Sequence, residues 1–298
     1  MPLKYWFLII LLAAGWGSSF FFNEIMLREI GPLWTAFGRV GIGALGCWAW
    51  LIATGANLSV PKATIGMLIA FGLLQYAIPL TVYPLTQQYI TSSAAGIVNA
   101  MTPIMVVIVS HFWPAGEKAT ALKVVGIVLG FVGITLLAQP SFAGQGASDP
   151  IALLLTLTAP VCYGLALNVI RYLDGIDRVL LTAWSATLGA LFLAPLTLTL
   201  EGIPTITRIE TWASLLFIGL VLTSAAFILL FWLIPRVGGT TASTITFLAP
   251  ISSVLLGVLI LSETLAPIQY VGMGVIFSGL LFIDGRFFKR LRNPQPNG

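Results

Sequence analysis

Two stretches of the chain decide its fold, because each is a version of the other. Residues 91–137 read "TSSAAGIVNAMTPIMVVIVSHFWPAGEKATALKVVGIVLGFVGITLL", and residues 238–282 read "GGTTASTITFLAPISSVLLGVLILSETLAPIQYVGMGVIFSGLLF". The spacing between matched landmarks is 147 at the prolines and 146 afterwards. The matches are Pro103 with Pro250, Glu117 with Glu263, Gly126 with Gly272, Gly133 with Gly279 and, further out, Trp16 with Tyr163. The chain is therefore expected to contain an internal repeat.

The composition assigns the chain to the membrane. Hydrophobic residues make up 58% of its 298 positions and charged residues only 8%, and the mean hydropathy is +1.01. Soluble domains contain about 25% charged residues, so a chain this poor in charge needs lipid as its solvent. At roughly 20 residues per span, the length holds about ten transmembrane helices and leaves no soluble catalytic domain. The expected spans cover residues 5–23, 33–54, 63–83, 91–112, 119–138, 150–171, 178–200, 210–233, 239–260 and 267–288.

Five spans fall in each half of the chain, and this odd number inverts the second half relative to the first. We therefore predict an all-α integral membrane protein of ten transmembrane helices, built as two inverted five-helix repeats. The repeats occupy residues 1–140 and 150–288, and a basic cytoplasmic tail follows at residues 289–298. Cytoplasmic loops collect lysine and arginine. With the N-terminus in the cytoplasm, most of the 14 basic residues lie on that side, so both termini are expected there. These residues are Lys4, Lys62, Lys118, Lys123, Arg171, Arg178, Arg236, Arg286, Lys289, Arg290 and Arg292.

A midspan proline, followed by a glutamate that opens a glycine-rich helix, resembles the EamA-type domain of the drug/metabolite transporter superfamily. Residues 11–28, "LLAAGWGSSFFFNEIMLR", are similar to the opening helix of that family, and residues 36–45, "AFGRVGIGAL", to its second helix with a characteristic arginine, here Arg39. The resemblance covers essentially the whole chain as two tandem domains. It implies a ten-helix exporter of small metabolites, most similar to the branch that exports aromatic amino acids. The second half has "LTAWSATLGAL" in place of the Arg39 segment, so the halves are not expected to be equivalent in function.

Three prolines inside spans mark the candidate substrate site. A proline within a helix leaves the carbonyl four residues earlier without its usual partner. In hydrocarbon such a carbonyl must face protein, water or ligand, and the ammonium group of an amino acid is a suitable donor. Pro103 frees the carbonyl of Asn99, Pro250 that of Thr246, and Pro79 that of Gln75. The three prolines are also expected to act as hinges. Thr102 and Ser243 lie on the same helix faces as Asn99 and Thr246. Alternatively, the prolines only kink the helices, and the polar residues bond to neighbouring helices.

Aromatic residues deep in their spans are a second group of substrate-binding candidates. Trp16 and Tyr163 occupy positions matched in the repeat, and Tyr76 lies beside Gln75. Such rings suit an aromatic or bulky apolar side chain, and they also hold cations. Packing between helices explains the same residues equally well.

Charged residues near the span ends have several interpretations. Arg39 is the deepest basic residue and is expected to anchor the structure, to pair with Glu24 or to bind a carboxylate. His111 is expected to be structural or to relay protons near Glu117. Glu117 and Glu263 each open a helix, where a carboxylate complements the helix dipole.

Glycines in the last span of each half predict close packing of helices. Glycine spacings of this kind let two backbones approach each other in a membrane. We expect this packing within the chain first, and between two chains of a dimer second. The glycines are Gly126, Gly130 and Gly133 in the first half and Gly272, Gly274 and Gly279 in the second.

The residues also exclude or disfavour several classes of function. An ATP-driven pump is excluded because no GxxxxGK[ST] loop occurs, and a membrane enzyme is disfavoured because no midspan cluster of Asp, Glu, His or Cys occurs. We predict a secondary transporter that exports amino acids, aromatic or neutral, by alternating access in a bacterial inner membrane. Its expected partners are a small-molecule substrate and the lipid bilayer, without nucleic acid or cofactor, and a dimer is left open. The alternatives are an exporter of cationic or lipophilic toxic compounds and a passive channel.

Overall fold

The computed structural model describes residues 2–114, 116–142, 148–242 and 244–285. This part of the chain is helical and contains no strand. Nine of its helices are long and apolar enough to cross a membrane, and a shorter apolar helix of 16 residues, Thr244–Leu259, lies before the last of them. The helices are α1 (Leu3–Leu27), α2 (Pro32–Ala53), α3 (Lys62–Gln87), α4 (Ser92–Phe112), α5 (Ala121–Phe142), α6 (Pro150–Leu173), α7 (Arg178–Leu200), α8 (Ile209–Val237), α9 (Thr244–Leu259) and α10 (Pro267–Asp284). The predicted all-α membrane architecture is confirmed, and the predicted basic tail lies outside the described residues.

Several of these helices are interrupted. α3 contains a π-helical segment, Leu73–Ala77, and α8 contains a longer one, Phe217–Ala225. α4 consists of two α-helices, Ser92–Asn99 and Thr102–Phe112, with a break between them. Departures of this kind from the regular helix often occur at functional sites, because they turn backbone and side-chain groups out of their usual directions.

The three expected hinge prolines differ in their effect on the backbone. Pro103 lies in the first turn of the second part of α4, and Pro79 lies in the first turn after the π-helical segment of α3. A proline has no N–H group to donate, so an irregular turn precedes each of them. α9, in contrast, continues as an α-helix through Pro250. The assignment of the three prolines as hinges stays a prediction.

The helices pack in pairs that join the two parts of the chain. α5 lies along α10, α2 lies along α7, and the first part of α4 lies along α9. α1 packs against α9 as α6 packs against the second part of α4, and α2 contacts α8 as α7 contacts α3. If each helix of the first half is exchanged with the helix five places later (α1 with α6, α2 with α7 and so on), the same set of pairs results.

Glycines bring the backbones of α5 and α10 together. A β-carbon on Gly133 would lie 2.7 Å from the carbonyl oxygen of Gly272, and one on Gly126 would lie 2.5 Å from that of Gly279. The relation is reciprocal, since β-carbons on Gly272 and Gly279 would lie 2.7 Å from the carbonyl oxygens of Gly133 and Gly126. The predicted close packing within the chain is confirmed for these four glycines, whereas Gly274 faces open space.

We call the end of the helix bundle at which α1 begins the N-terminal end, and the end at which α1 finishes the opposite end. At the opposite end, Glu29 in the α1–α2 loop accepts hydrogen bonds from the N–H groups of Thr207 (2.7 Å) and Arg208 (3.1 Å) in the α7–α8 loop. The nearby hydroxyl of Thr211, together with these donors, lowers the pKa of Glu29 to about 2. The carboxylate that joins these two loops is therefore charged at physiological pH.

Candidate functional site

A polar cluster forms around Arg39 in the apolar bundle. Arg39 is half-buried and lies seven residues after Pro32, the first residue of α2, which places it about 10 Å along the helix axis from that end. Its Nε donates a hydrogen bond to Oγ1 of Thr223, in the π-helical segment of α8, at 3.3 Å. The phenol groups of Tyr83 in α3 and Tyr163 in α6 lie within electrostatic range of the guanidinium. The guanidinium of Arg39 thus has one hydrogen-bond partner, on α8, and phenol groups of α3 and α6 within electrostatic range.

Arg39 has no carboxylate partner in the described part of the chain. The suggested pairing with Glu24 is wrong, because the carboxylate of Glu24 lies near Arg28 and Glu263 at the opposite end of the bundle. The ion pairs that do occur among the described residues are Lys123 with Glu117 and Arg178 with Asp174. A cation inside a membrane protein without a counter-ion is costly. Arg39 is therefore the strongest candidate for a group that binds an anion.

Asn99 ends the first part of α4 and joins this cluster through Tyr83. The hydroxyl of Tyr83 donates to Oδ1 of Asn99 at 2.7 Å. The carbonyl oxygen of Asn99, which Pro103 frees, accepts a hydrogen bond from Oγ1 of Thr102 at 2.7 Å. That carbonyl is thus satisfied within the chain, contrary to the expectation that it is open to a ligand. The Asn99 amide NH2 has no partner among the described residues, so the residue presents a donor rather than an acceptor.

Two of the three predicted aromatic residues share a contact with Phe227 of α8. The ring centroid of Phe227 lies 5.5 Å from that of Trp16 and 5.9 Å from that of Tyr76. Nε1 of Trp16 donates to the carbonyl oxygen of Leu222 at 3.1 Å, and Tyr76 is only 2% exposed. Helix packing accounts for both residues as described, whereas Tyr163 belongs to the cluster around Arg39.

No described contact brings the remaining candidates into the Arg39 cluster. Gln75 is half-buried in the π-helical segment of α3, and its side chain has no hydrogen-bond partner among the described residues. Thr246 is half-buried in α9, one turn before Pro250. Ser243 lies outside the described residues.

The titratable residues near the helix ends have structural partners. Nδ1 of His111 accepts a hydrogen bond from the N–H of Ala119 at 3.0 Å, which holds the turn between α4 and α5. Glu117 pairs with Lys123 rather than with His111, so these contacts favour the structural interpretation over a proton relay. Glu263 accepts hydrogen bonds from the first turn of α4 and not from its own α10, which corrects the expectation for that residue.

Tyr83 and Thr223 are the members of the cluster that the sequence did not indicate. Tyr83 directly precedes Pro84, in a region that resembles a soft break between spans. Thr223 reaches Arg39 from a π-helical segment, and no sequence pattern predicts such a segment. The one available signal was Arg39 itself, since an arginine within a span requires polar neighbours.

The profile of the EamA-like transporter family matches the chain twice, over residues 3–139 and residues 150–284. The chain belongs to the EamA-like transporter family. This assignment, with the apolar helices described above, makes it a multi-pass membrane transporter of small molecules.

Relatives of this EamA protein match it along nearly its full length. An uncharacterized transporter of Bacillus subtilis, YoaV, is 26% identical over 276 residues, which cover 91% of each chain. An uncharacterized transporter of Archaeoglobus fulgidus is 26% identical over 293 residues, 94% of this chain and 99% of the relative. Protein PecM of Dickeya dadantii is 25% identical over 283 residues, 94% of this chain and 93% of PecM. A crystal structure with 18% identity matches 96% of this chain and 99% of its own chain with a TM-score of 0.66, which shows a shared fold.

Proposed function

We propose that this EamA protein exports amino acids, aromatic or neutral, and that Arg39 binds their carboxylate group. The observation that carries the proposal is the position of Arg39 among apolar helices, without a carboxylate partner in the part of the chain that is described. A guanidinium presents a planar fork of donors that matches a carboxylate. The amide of Asn99, linked to the cluster through Tyr83, offers a further donor. A positive centre also repels cations, so it weighs against cationic toxic compounds as the substrates.

The ammonium group and the side chain of an amino acid need different surroundings. The backbone carbonyls of Gln75 and Thr246 are the acceptors that we assign to the ammonium group, because Pro79 and Pro250, four residues later, have no N–H group to donate to them. The rings of Trp16, Tyr76 and Phe227 form the apolar wall that we assign to the side chain. Ser243 keeps its place as a candidate from the sequence.

Transport is proposed to follow alternating access between two inverted repeats. The exchange relation among the helix pairs supports this, as does the family profile, which matches each half of the chain separately. An inverted repeat provides two related conformations that open to opposite sides of the membrane. The distribution of lysine and arginine assigns the N-terminal end to the cytoplasm and the opposite end to the outside of a bacterial inner membrane. Pro79, Pro103 and Pro250 act as the hinges of this cycle.

Efflux from proteoliposomes tests the proposed function. The purified protein is reconstituted, and the vesicles are preloaded with radiolabelled phenylalanine or threonine. We expect efflux well above the rate of protein-free vesicles, and inhibition by excess unlabelled amino acid. Efflux of both compounds at the protein-free rate would remove amino acids as substrates.

Replacing Asn99 with alanine is expected to slow efflux about 10-fold, because one hydrogen bond to a charged substrate group is lost. The measurement is the initial efflux rate per folded protein in the same vesicles. Asn57→Ala is the matched control, since Asn57 lies on an exposed loop and bonds only to Ser59. An unchanged rate in Asn99→Ala would move the site away from the break in α4.

Replacing Tyr83 with phenylalanine is expected to slow efflux about 5-fold, because the ring stays while the 2.7 Å hydrogen bond to Asn99 is lost. The effect should appear mainly in KM, because Tyr83 positions Asn99 for binding. Tyr172→Phe is the control, as Tyr172 is 53% exposed and lies away from the cluster. Equal efflux from the two variants would show that the Tyr83 hydroxyl has no part in the site.

A further inference from the structure

Three carboxylates at the opposite end of the bundle bond across its two halves, α1–α5 and α6–α10. Each carboxylate accepts hydrogen bonds from two backbone N–H groups of the other half. For two of the three carboxylates, these N–H groups lie in the first turn of a helix. The bonds are Glu263 with Ser92 (2.6 Å) and Ser93 (2.9 Å) in α4, Glu201 with Leu33 (2.9 Å) and Trp34 (3.0 Å) in α2, and Glu29 with Thr207 (2.7 Å) and Arg208 (3.1 Å) in the α7–α8 loop.

The chemistry of these contacts makes them strong links between the halves. The N–H groups in the first turn of a helix have no partner within the helix, and the helix dipole favours a negative charge there. A hydrogen bond to an ionised acceptor is roughly twice as strong as one between neutral groups. Glu263 also accepts a hydrogen bond from the hydroxyl of Ser93, so its carboxylate is held by three donors.

The carboxylates at the N-terminal end whose partners are described bond within their own half. Glu117 is the repeat counterpart of Glu263, yet it pairs with Lys123 and its side chain is 70% exposed. The others are Asp174 with Arg178, and Asp177 with the first turn of its own helix, α7. Of the two matched glutamates, Glu263 therefore links the halves at the opposite end of the bundle, whereas Glu117 at the N-terminal end does not.

A polar groove of about 330 Å³ opens beside Glu263. Its lining includes Glu24, Arg28 and Gln88, which bring charges of both signs and an amide to the surface of the opposite end. Such a groove can solvate both charged groups of an amino acid. It lies next to the first part of α4, whose last residue is Asn99.

We propose that Glu29, Glu201 and Glu263 form an outer latch, which holds the outer ends of the two halves together and breaks when substrate leaves. The proposal rests on the alternating-access cycle proposed above. Glu263 is its central member because it holds Ser92–Asn99, the part of α4 that is separated from the rest of the helix by the break before Thr102. Release of this segment joins the Arg39 cluster to the outer groove.

Thiol labelling from the outside tests the latch without any substrate. The reporter is Ala95→Cys, because Ala95 lies in the latched segment and is 0% exposed. The buried Cys47 and Cys162 are replaced by alanine in the background. A membrane-impermeant maleimide is added to spheroplasts, and the labelling rate of the reporter is measured. We expect Glu263→Gln to raise that rate at least about 10-fold, since it removes the charge that holds the first turn of α4.

Matched variants separate the latch from general damage. Glu117→Gln changes the repeat counterpart and should leave the labelling rate unchanged, whereas Ser93→Ala removes one of three donors and should raise it about 3-fold. A second reporter, Ala159→Cys, is 0% exposed and lies nine residues into α6, a helix that takes part in none of the latch bonds, so it should stay unlabelled in every folded variant. If Glu263→Gln labels both reporters, it has unfolded, and Ser93→Ala then decides the question. An unchanged rate at Ala95→Cys in a folded Glu263→Gln variant, or an equal rise in Glu117→Gln, would overturn the latch. Failure of amino-acid efflux would leave this labelling result untouched.

Discussion

Replacing Arg39 with glutamine is expected to lower amino-acid efflux about 100-fold, the largest effect that we expect from any single side chain in the site. The charge-assisted bond between guanidinium and carboxylate contributes up to about 3 kcal/mol, and a neutral amide of similar length cannot replace it. The measurement is the initial efflux rate of phenylalanine from proteoliposomes. Arg208→Gln is the control, because the Arg208 side chain is exposed and Glu29 bonds only its backbone.

Thermal stability distinguishes the two interpretations of Arg39, as a structural anchor or as a substrate-binding residue. If Arg39 is a structural anchor, Arg39→Gln should lower the thermal stability of the protein in detergent together with efflux. If it binds substrate, the variant should keep its stability and lose protection by added phenylalanine. A folded Arg39→Gln protein with normal efflux would refute the proposed site. The efflux rate of Arg39→Lys should lie between those of the wild type and Arg39→Gln, since an ammonium group keeps the charge without the planar fork.

Replacing Gly133 with valine is expected to separate α5 from α10 and to abolish most of the folded protein. The β-carbon would lie 2.7 Å from the carbonyl oxygen of Gly272 and 2.9 Å from the backbone nitrogen of Ile276. Backbone atoms of a packed helix cannot move aside as a flexible side chain can. We expect a loss of about 3 kcal/mol or more, the upper range for overpacking. The fraction of monodisperse protein after solubilisation, and its melting temperature, report the effect.

Gly274→Val supplies the matched control for this experiment. Gly274 lies in α10, between Gly272 and Gly279, yet a β-carbon there meets nothing within 4 Å. The same substitution at the two positions adds the same volume and the same β-branching to an α-helix. Only contact with the partner helix differs. Similar melting temperatures for Gly133→Val and Gly274→Val would show that the α5–α10 contact is not tight.

The helices were predictable because the bilayer imposes strict rules of length and hydropathy on each span. The packing of α5 on α10 was predictable for a different reason, since glycine spacing in an apolar helix has few other uses. Gly133 and Gly279 match in the sequence, and both lie in that contact. The sequence did not indicate which glycines pair with which, because that depends on the relative shift of the two helices.

The site was less accessible to sequence reasoning. Pro103 was correctly associated with a change in the backbone near Asn99, but the side chain of Thr102 takes the freed carbonyl, and local geometry alone decides that outcome. Arg39 meets Thr223 because a π-helical segment turns that hydroxyl toward it. Tyr83 reaches Asn99 from another helix. Contacts of this kind come from the crossing of helices, which residue spacing does not record.

The glycine contact between α5 and α10 also joins two helices that are synthesised at different times. α5 ends at Phe142 and α10 begins at Pro267, so the ribosome adds the 124 residues between them before it starts the partner helix. At typical elongation rates this takes about 10 s, during which the glycine face of α5 borders lipid or an assisting insertase. A nascent chain that stops before Pro267 carries every residue of the Arg39 cluster but lacks its last inter-helix contact. Without α10 the glycine face of α5 has no partner helix, so the α5–α10 contact forms only after α10 has been translated.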